Sequence, residues 1–282
     1  MMDRFVIRKR KASSEDLVTT PTPKEQDNTD PDTITASHIN KKPKAAPIDL
    51  TSPPEGDTST PDKPSSQSSL LEVLSFECKK LETIAQFRDQ FDLIANKLLN
   101  EVELVANGNA YRICEIEFYV KGGKHEDYFT HCDPQQKSHC QWYFHKHGTK
   151  YRTGNYKGLD VTFVKENDCY GGILFRAIED IKTSTLYDGP CVSVNQLLKL
   201  NNCVEVHHLV GLPHFNWSAF DAKSPLYLRE APHLPQRQYY KCPRVGLSLK
   251  KKGGNRCSFL GSPYRYLSLP KQIKKGRANL VI

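Results

Sequence analysis

Within its 282 residues the chain has no apolar run of the roughly 18 residues that a membrane helix needs, and Met1 is followed by Asp3 and Arg4 where a secretory signal would turn hydrophobic. Neither a membrane span nor an export signal is therefore expected. Residues 1–68 lack cysteine entirely and have one aromatic, Phe5, against nine of the 18 prolines. Such a segment cannot bury enough apolar surface to offset its ordering entropy, so a disordered N-terminal tail is expected over 1–68 and a single folded domain over 69–282. Acidic residues are absent from Ala231 to Ile282, which holds 12 Lys and Arg interleaved with Tyr239, Tyr240, Phe259, Tyr264 and Tyr266. A stretch of one sign suits a polyanion, and nucleic acid is the ligand expected there. The same sign imbalance runs through residues 69–282, which carry 30 basic against 21 acidic side chains. Nine cysteines, an odd number, read as free thiols of a reducing compartment.

What is present begins with Glu115-Ile116-Glu117-Phe118-Tyr119. Residues two apart on a strand share a face, so Glu115 and Glu117 point one way while Ile116 and Phe118 pack behind them. A carboxylate held rigidly at the margin of a core can act as a general base, although an exposed sheet surface has the same pattern. Upstream, Leu71, Val73, Leu74, Leu81, Ile84, Phe87, Phe91, Ile94, Leu98 and Leu99 recur at spacings of three and four, which predicts one or two amphipathic helices. Asn107-Gly108-Asn109 is a turn signal between strands at 101–106 and 111–120, which predicts a hairpin. Leu159–Val164 and Gly172–Ile178 are strand-like, and a helix is expected after Gly189-Pro190. The expected fold is α+β: one compact domain with a mixed, largely antiparallel sheet and flanking helices.

Read in order, residues of roughly 86–270 resemble the alkyladenine (3-methyladenine, methylpurine) DNA glycosylases. The resemblance rests on seven stretches: Phe91 to Leu99, Glu115 to Tyr119, Asp127 to His131, Lys146-His147-Gly148-Thr149-Lys150-Tyr151, Leu174 to Glu179, Asp188-Gly189-Pro190, and the pair Arg244-Val245-Gly246 and Ser262-Pro263-Tyr264-Arg265-Tyr266. It implies a monofunctional enzyme of base excision repair that flips a damaged purine out of duplex DNA and hydrolyses its N-glycosidic bond. Glu117 would be the catalytic base that primes water, with Glu115 a structural partner. Tyr119 would stack on the extruded base, Tyr156 would fill the vacated gap, and His131 and Tyr151 would border the pocket. Arg176 would meet phosphate or the pocket rim, and Lys250, Lys251 and Lys252 would contact the DNA backbone. Thr153 stands where the family has a second stacking tyrosine, and Asp160 lies in the region of its pocket asparagine. The loop from Glu117 to His131 is three residues longer.

No metal or organic cofactor is called for, and a nuclear monomer is expected, since Arg8 to Lys11 and Lys41 to Lys44 suit nuclear import. Arg4-Phe5-Val6-Ile7-Arg8 looks like the short sliding-clamp-binding motif of AlkB-type demethylases, an apolar triplet between cations that can dock in a groove with an acidic rim. Two other readings stand beside the enzyme. One is a non-catalytic binder of damaged or single-stranded nucleic acid. The other is a zinc-dependent module built from His125, His131, Cys132, His139, Cys140, His145 and His147, although adjacent pairs rarely converge on one ion.

Overall fold

The computed structural model describes residues 69–249 and 257–279. The tail motifs, including Arg4, Phe5, Val6, Ile7 and Arg8, and the triplet Lys250, Lys251 and Lys252 lie outside the described residues.

Two helices form where the three-and-four spacing predicts them. Helix α1 is the single turn Leu70–Val73, and α2 runs Ile84–Asn100. Thr83 caps α2 by accepting from the Gln86 N–H while the Gln86 side chain reaches back to the cap, so two orphan donors are satisfied at once. Phe87, Phe91, Ile94 and Leu98 bury one stripe of α2 completely.

Strand β1 (Val102–Ala106) turns into the long β2 (Asn109–Gly122) through Asn107 and Gly108, at φ 43° and 75°. Two successive left-handed residues match the twist of the flanking strands, which is why Asn-Gly closes this hairpin. Next come β3 (His125–Glu126), β4 (Trp142–Phe144), β5 (Lys146–His147) and β6 (Lys150–Tyr151). Then follow β7 (Leu159–Val161), β8 (Tyr170–Asp180), β9 (Leu186–Asp188), α3 (Pro190–Leu200) and α4 (Val206–Val210). The chain ends with β10 (Leu226–Glu230), β11 (Tyr240–Cys242), α5 (Cys257–Leu260) and β12 (Arg265–Leu267).

Ten of these strands make one antiparallel sheet with the central order β10-β1-β2-β8-β7-β4, while β5 and β6 form a separate hairpin. The domain is α+β, as expected. Along one edge β2 pairs with β1 and then β12, and along the other with β8. A break in register at Glu115 against β8 marks a bulge.

The two faces of β2 are buried differently. Ile116 and Phe118 pack under α2, where Phe118 stacks on Phe91 at 4.5 Å between ring centres and Phe163 and Tyr264 close around them. The opposite face carries Glu115 and Glu117 and is roofed by the C-terminal segment, with Ile273 fully buried and Arg265 donating to the carbonyls of Lys275 and Gly276. The solvated-face alternative for these glutamates is thereby excluded. A strand covered on both faces reads as a near-continuous apolar run, and the two acids interrupt it only because each finds a cation.

The cysteine expectation is corrected in one respect. Cys78 and Cys169 are joined as a disulfide, tying the α1–α2 connection to the approach to β8, and seven cysteines are free.

Candidate active site

Glu115 and Glu117 anchor a balanced ionic cluster at the centre of the sheet. Glu115 Oε1 accepts from Arg176 Nε and Arg265 Nε, each at 2.6 Å, and its Oε2 has no hydrogen-bond partner. Burial pushes the Glu115 carboxyl up, against the pull of Arg176 and Arg265. Glu117 accepts from the Val245 N–H at 2.7 Å and the Tyr119 hydroxyl at 2.9 Å, and it faces Arg176 at 3.4 Å. Burial alone would lower the Arg176 guanidinium, but Glu117 and Glu115 outweigh it and raise it. Both carboxylates have zero exposure.

A cavity of about 690 Å³ opens beside this cluster, with Tyr119, Val245, Gly246 and Leu247 on its inner side. Its other walls come from Tyr128 to Pro134, from Tyr143 and from His145 to Gly148, with Arg152 and Asp160. That is the size of a small-molecule pocket. Tyr119 is the link between cavity and cluster, since its ring lines the cavity while its hydroxyl donates to Glu117. Burial, with the Glu117 charge beside it, holds the Tyr119 phenol well above its ordinary range. Behind the ring sits Arg244, its guanidinium 4.4 Å from the ring centre and paired with buried Asp127 at 2.5 Å. The tyrosine is thus backed by a cation that is itself held in a buried ion pair.

Histidine chemistry concentrates on the opposite wall. His145 Nε2 meets Asp160 Oδ1 at 2.7 Å, His131 packs edge-on against the His145 ring at 4.5 Å, and His131 Nδ1 lies 3.2 Å from the Tyr143 hydroxyl. Asp160 is 2 % exposed, and its second oxygen is approached by Gln136 Nε2 at 3.5 Å. Gly172 makes room for it, because a Cβ there would come within 2.4 Å of Asp160 Oδ2.

Of the residues singled out from sequence, Tyr119 and His131 line the cavity. Glu117 does not, lying one layer behind Tyr119 and Val245. Tyr151 packs against Phe144 and under Lys146, off the cavity wall. Tyr156 stands 73 % exposed on the short turn Gly154–Tyr156. Arg176 is a correction: at 5 % exposure and held by two glutamates, it cannot reach a phosphate or the rim. The basic C-terminal stretch is corrected in part. Arg237, Arg244 and Arg265 are paired with the buried Glu179, Asp127 and Glu115, so these three cations balance internal carboxylates instead of forming a footprint, while Lys241 pairs with Asp92 at the surface.

Of the crowded His and Cys residues, His131, Cys132, His145 and His147 line the cavity and the others do not. His125 is buried between the Val120 carbonyl and the Tyr264 hydroxyl, and His139 turns to the Leu74 carbonyl. Among the described residues only Cys78, Glu166 and Cys169 bring three potential metal-binding atoms within 4.8 Å of one another, and two of those are disulfide-bonded.

Sequence reasoning missed Arg244 and the Val245 N–H as site elements, and missed the His145–Asp160 pair. A backbone donor leaves no compositional trace, but Arg244-Val245-Gly246 was visible as a motif. The pair joins residues 15 apart, Asp160 on β7 and His145 just past the end of β4, where Tyr143 registers with Asp160, and that pairing is a tertiary fact.

Over 205 residues the chain is 34% identical to the uncharacterized protein L759 of Acanthamoeba polyphaga mimivirus, a match covering 68% of this chain and 92% of the viral protein. The chain belongs to the L759 family. No family model matches the chain, and no solved structure matches it. For this member of the L759 family the cavity and its flanking clusters therefore carry the functional argument.

Proposed function

We propose that the protein is a monofunctional DNA glycosylase acting on a damaged purine turned out of the duplex into the cavity beside Tyr119. The observation that carries this reading is the single tyrosine shared between a cavity with room for a purine and a buried carboxylate, Tyr119 and Glu117 at 2.9 Å. An aromatic face backed by the Arg244 cation offers the everted base a stacking surface worth roughly 1–3 kcal/mol. Lys146, which donates to Gln135 at 2.9 Å, and Arg152, which donates to the Lys146 carbonyl, line the cavity and are of the sign that suits flanking phosphates.

Cleavage passes through an oxocarbenium-like sugar, and one carboxylate suffices to orient water and take its proton. Glu117 fills that role once an entering base displaces the Tyr119 hydroxyl from it. Arg176, 3.4 Å away, holds the carboxylate in place, and Glu115 holds Arg176. Tyr156, exposed and unencumbered by packing, is suited to fill the gap left in the base stack. A tail segment beginning Arg4-Phe5-Val6-Ile7-Arg8 would bring the enzyme to a sliding clamp, and the basic clusters would bring it to the nucleus.

One observation favours a second reading. With Glu117 at zero exposure and both oxygens engaged, the scaffold also suits a non-catalytic reader of damaged bases. Duplexes carrying hypoxanthine, ethenoadenine or a methylpurine separate the two. Alkali-labile abasic sites with the wild type, lost in Glu117→Gln while binding persists, support the enzyme; binding without abasic sites from any of these lesions supports the reader.

A further inference from the structure

Beside Tyr119 the cavity wall carries an acceptor that the hydrolytic scheme leaves idle. Leu159 and Val161 are buried in the core, so Asp160 between them points to the other face of the sheet, the one that holds Glu117 and Tyr119. Asp160 pairs with Leu174 of β8, Leu174 pairs with Glu117 of β2, and two residues along β8, Gly172 pairs with Tyr119. Gly172 therefore lies between Asp160 and Tyr119 on that face. The carboxylate leans over it, since a Cβ at 172 would come within 2.4 Å of Asp160 Oδ2. Both Asp160 and Tyr119 line the cavity, so a base held against Tyr119 meets the carboxylate at its edge.

Asp160 is held where it stands. His145 Nε2 meets Oδ1 at 2.7 Å, and Gln136 Nε2 approaches Oδ2 at 3.5 Å. Each holder is fixed in turn. Gln136 Oε1 accepts from the Asp133 N–H, while the His145 N–H donates to the Gly158 carbonyl and its carbonyl accepts from the Arg152 N–H. A carboxylate has about four acceptor directions, and one short and one long contact leave room for a donor brought in by a ligand, above all on Oδ2.

We propose that Asp160 sets the specificity of the cavity, accepting from the exocyclic amine of an alkylated purine and turning away purines whose amine has become a carbonyl. This rests on the glycosidic reading of the same cavity and narrows its substrate class. An exocyclic amine brings N–H donors to the Asp160 oxygens. A carbonyl in its place brings lone pairs against lone pairs, so the same carboxylate attracts one class and repels the other. His145 and Gln136 are positioning residues in this scheme, because their part is to keep the acceptor still.

Three bases separate the amine from every other property of the lesion. Duplexes carry 7-methylguanine, with its amine at C2, 7-methyladenine, with its amine at C6, or 7-methylhypoxanthine, with neither. All three share the methyl group and the positive charge it confers. Affinity and single-turnover excision are measured for the full chain, wild type and Asp160→Asn, at a pH below the loss of the N1 proton. Wild type is expected to favour at least one amine-bearing base over 7-methylhypoxanthine by about 10- to 100-fold, the worth of one hydrogen bond to a charged acceptor. Asp160→Asn is expected to erase most of that advantage, because with its oxygen kept by His145 its amide nitrogen stands where Oδ2 was. The wild-type ratio needs no variant, so an unstable Asp160→Asn leaves the test standing. Equal treatment of the three bases by wild type, or a preference that Asp160→Asn leaves unchanged, overturns the role of Asp160 and leaves the glycosidic reading intact. Wild type that neither binds nor excises any of them overturns that reading and this inference together.

Discussion

Replacing Glu117 by Gln tests chemistry and architecture in one protein. The cluster contains two carboxylates, Glu115 and Glu117, and two guanidiniums, Arg176 and Arg265, none more than 5 % exposed. It is electrically balanced. Glutamine keeps the shape and can still accept from the Val245 N–H, but it leaves Arg176 and Arg265 sharing Glu115, one buried positive charge in excess. Breaking a buried ion pair from one side costs about 3–5 kcal/mol, and the retained Glu115 contact argues for the lower end. With a urea dependence of about 2 kcal/mol per molar, 3 kcal/mol lowers the unfolding midpoint by about 1.5 M. Loss of a general base lowers single-turnover excision by about 10² to 10⁴-fold. Glu115→Gln is the companion variant. It removes an equal charge from the same cluster and is expected to lower the midpoint comparably, while slowing excision far less because Glu115 contacts only arginines. Glu117→Gln excising at the wild-type rate would refute the assignment of the base. Equal losses of rate in the two variants would refute it too, by showing that rate follows cluster integrity.

Three further outcomes follow from the packing. Phe91 is fully buried with its ring 4.5 Å from that of Phe118, so Phe91→Ala is expected to cost about 3–5 kcal/mol in urea unfolding, and a cost under 1 kcal/mol would contradict the packing described. Burial pushes the His125 imidazole down from 6.5 to about 4, so the unfolded chain takes up its proton first and stability is lost as pH falls from about 6.5 to about 4. The loss amounts to about 3 kcal/mol, and an imidazole resonance for His125 titrating above pH 6 would contradict it. Gly172→Ala places a methyl 2.4 Å from Asp160 Oδ2 and 2.9 Å from Gln136 Nε2, and is expected to destabilise by about 1–3 kcal/mol and to alter the His145 imidazole signals. Unaltered signals would mean that Asp160 is not fixed from that side.

The parts of the fold legible in sequence were those written in short-range pattern. Phe87, Phe91, Ile94 and Leu98 at helical spacing gave α2, and Asn107-Gly108 gave the hairpin between β1 and β2. Gly189-Pro190 marked the start of α3. Short strands such as β10 and β12 escaped notice because three to five residues hold only one or two alternations, too few to stand out, and they exist only by pairing with β1 and β2. For the site, alternation placed Glu115 and Glu117 on one face correctly. Their burial could not be read locally, because it depends on Arg176 and Arg265 arriving from 61 and 150 residues away. The pairing of Arg237, Lys241, Arg244 and Arg265 was hidden for the same reason: counting charges does not reveal which have distant carboxylates waiting for them.

Strand β2 places the greasy contacts with α2 and the acids beside the cavity on alternate residues of a single ribbon. A slip of one residue would turn Glu117 toward Phe91 and Ile116 toward Arg176, ruining both sides together. Folding intermediates in which β2 is not yet seated between β8 and β12 hold no partly formed centre. Any catalytic competence is therefore acquired in the same all-or-none event that secures the domain.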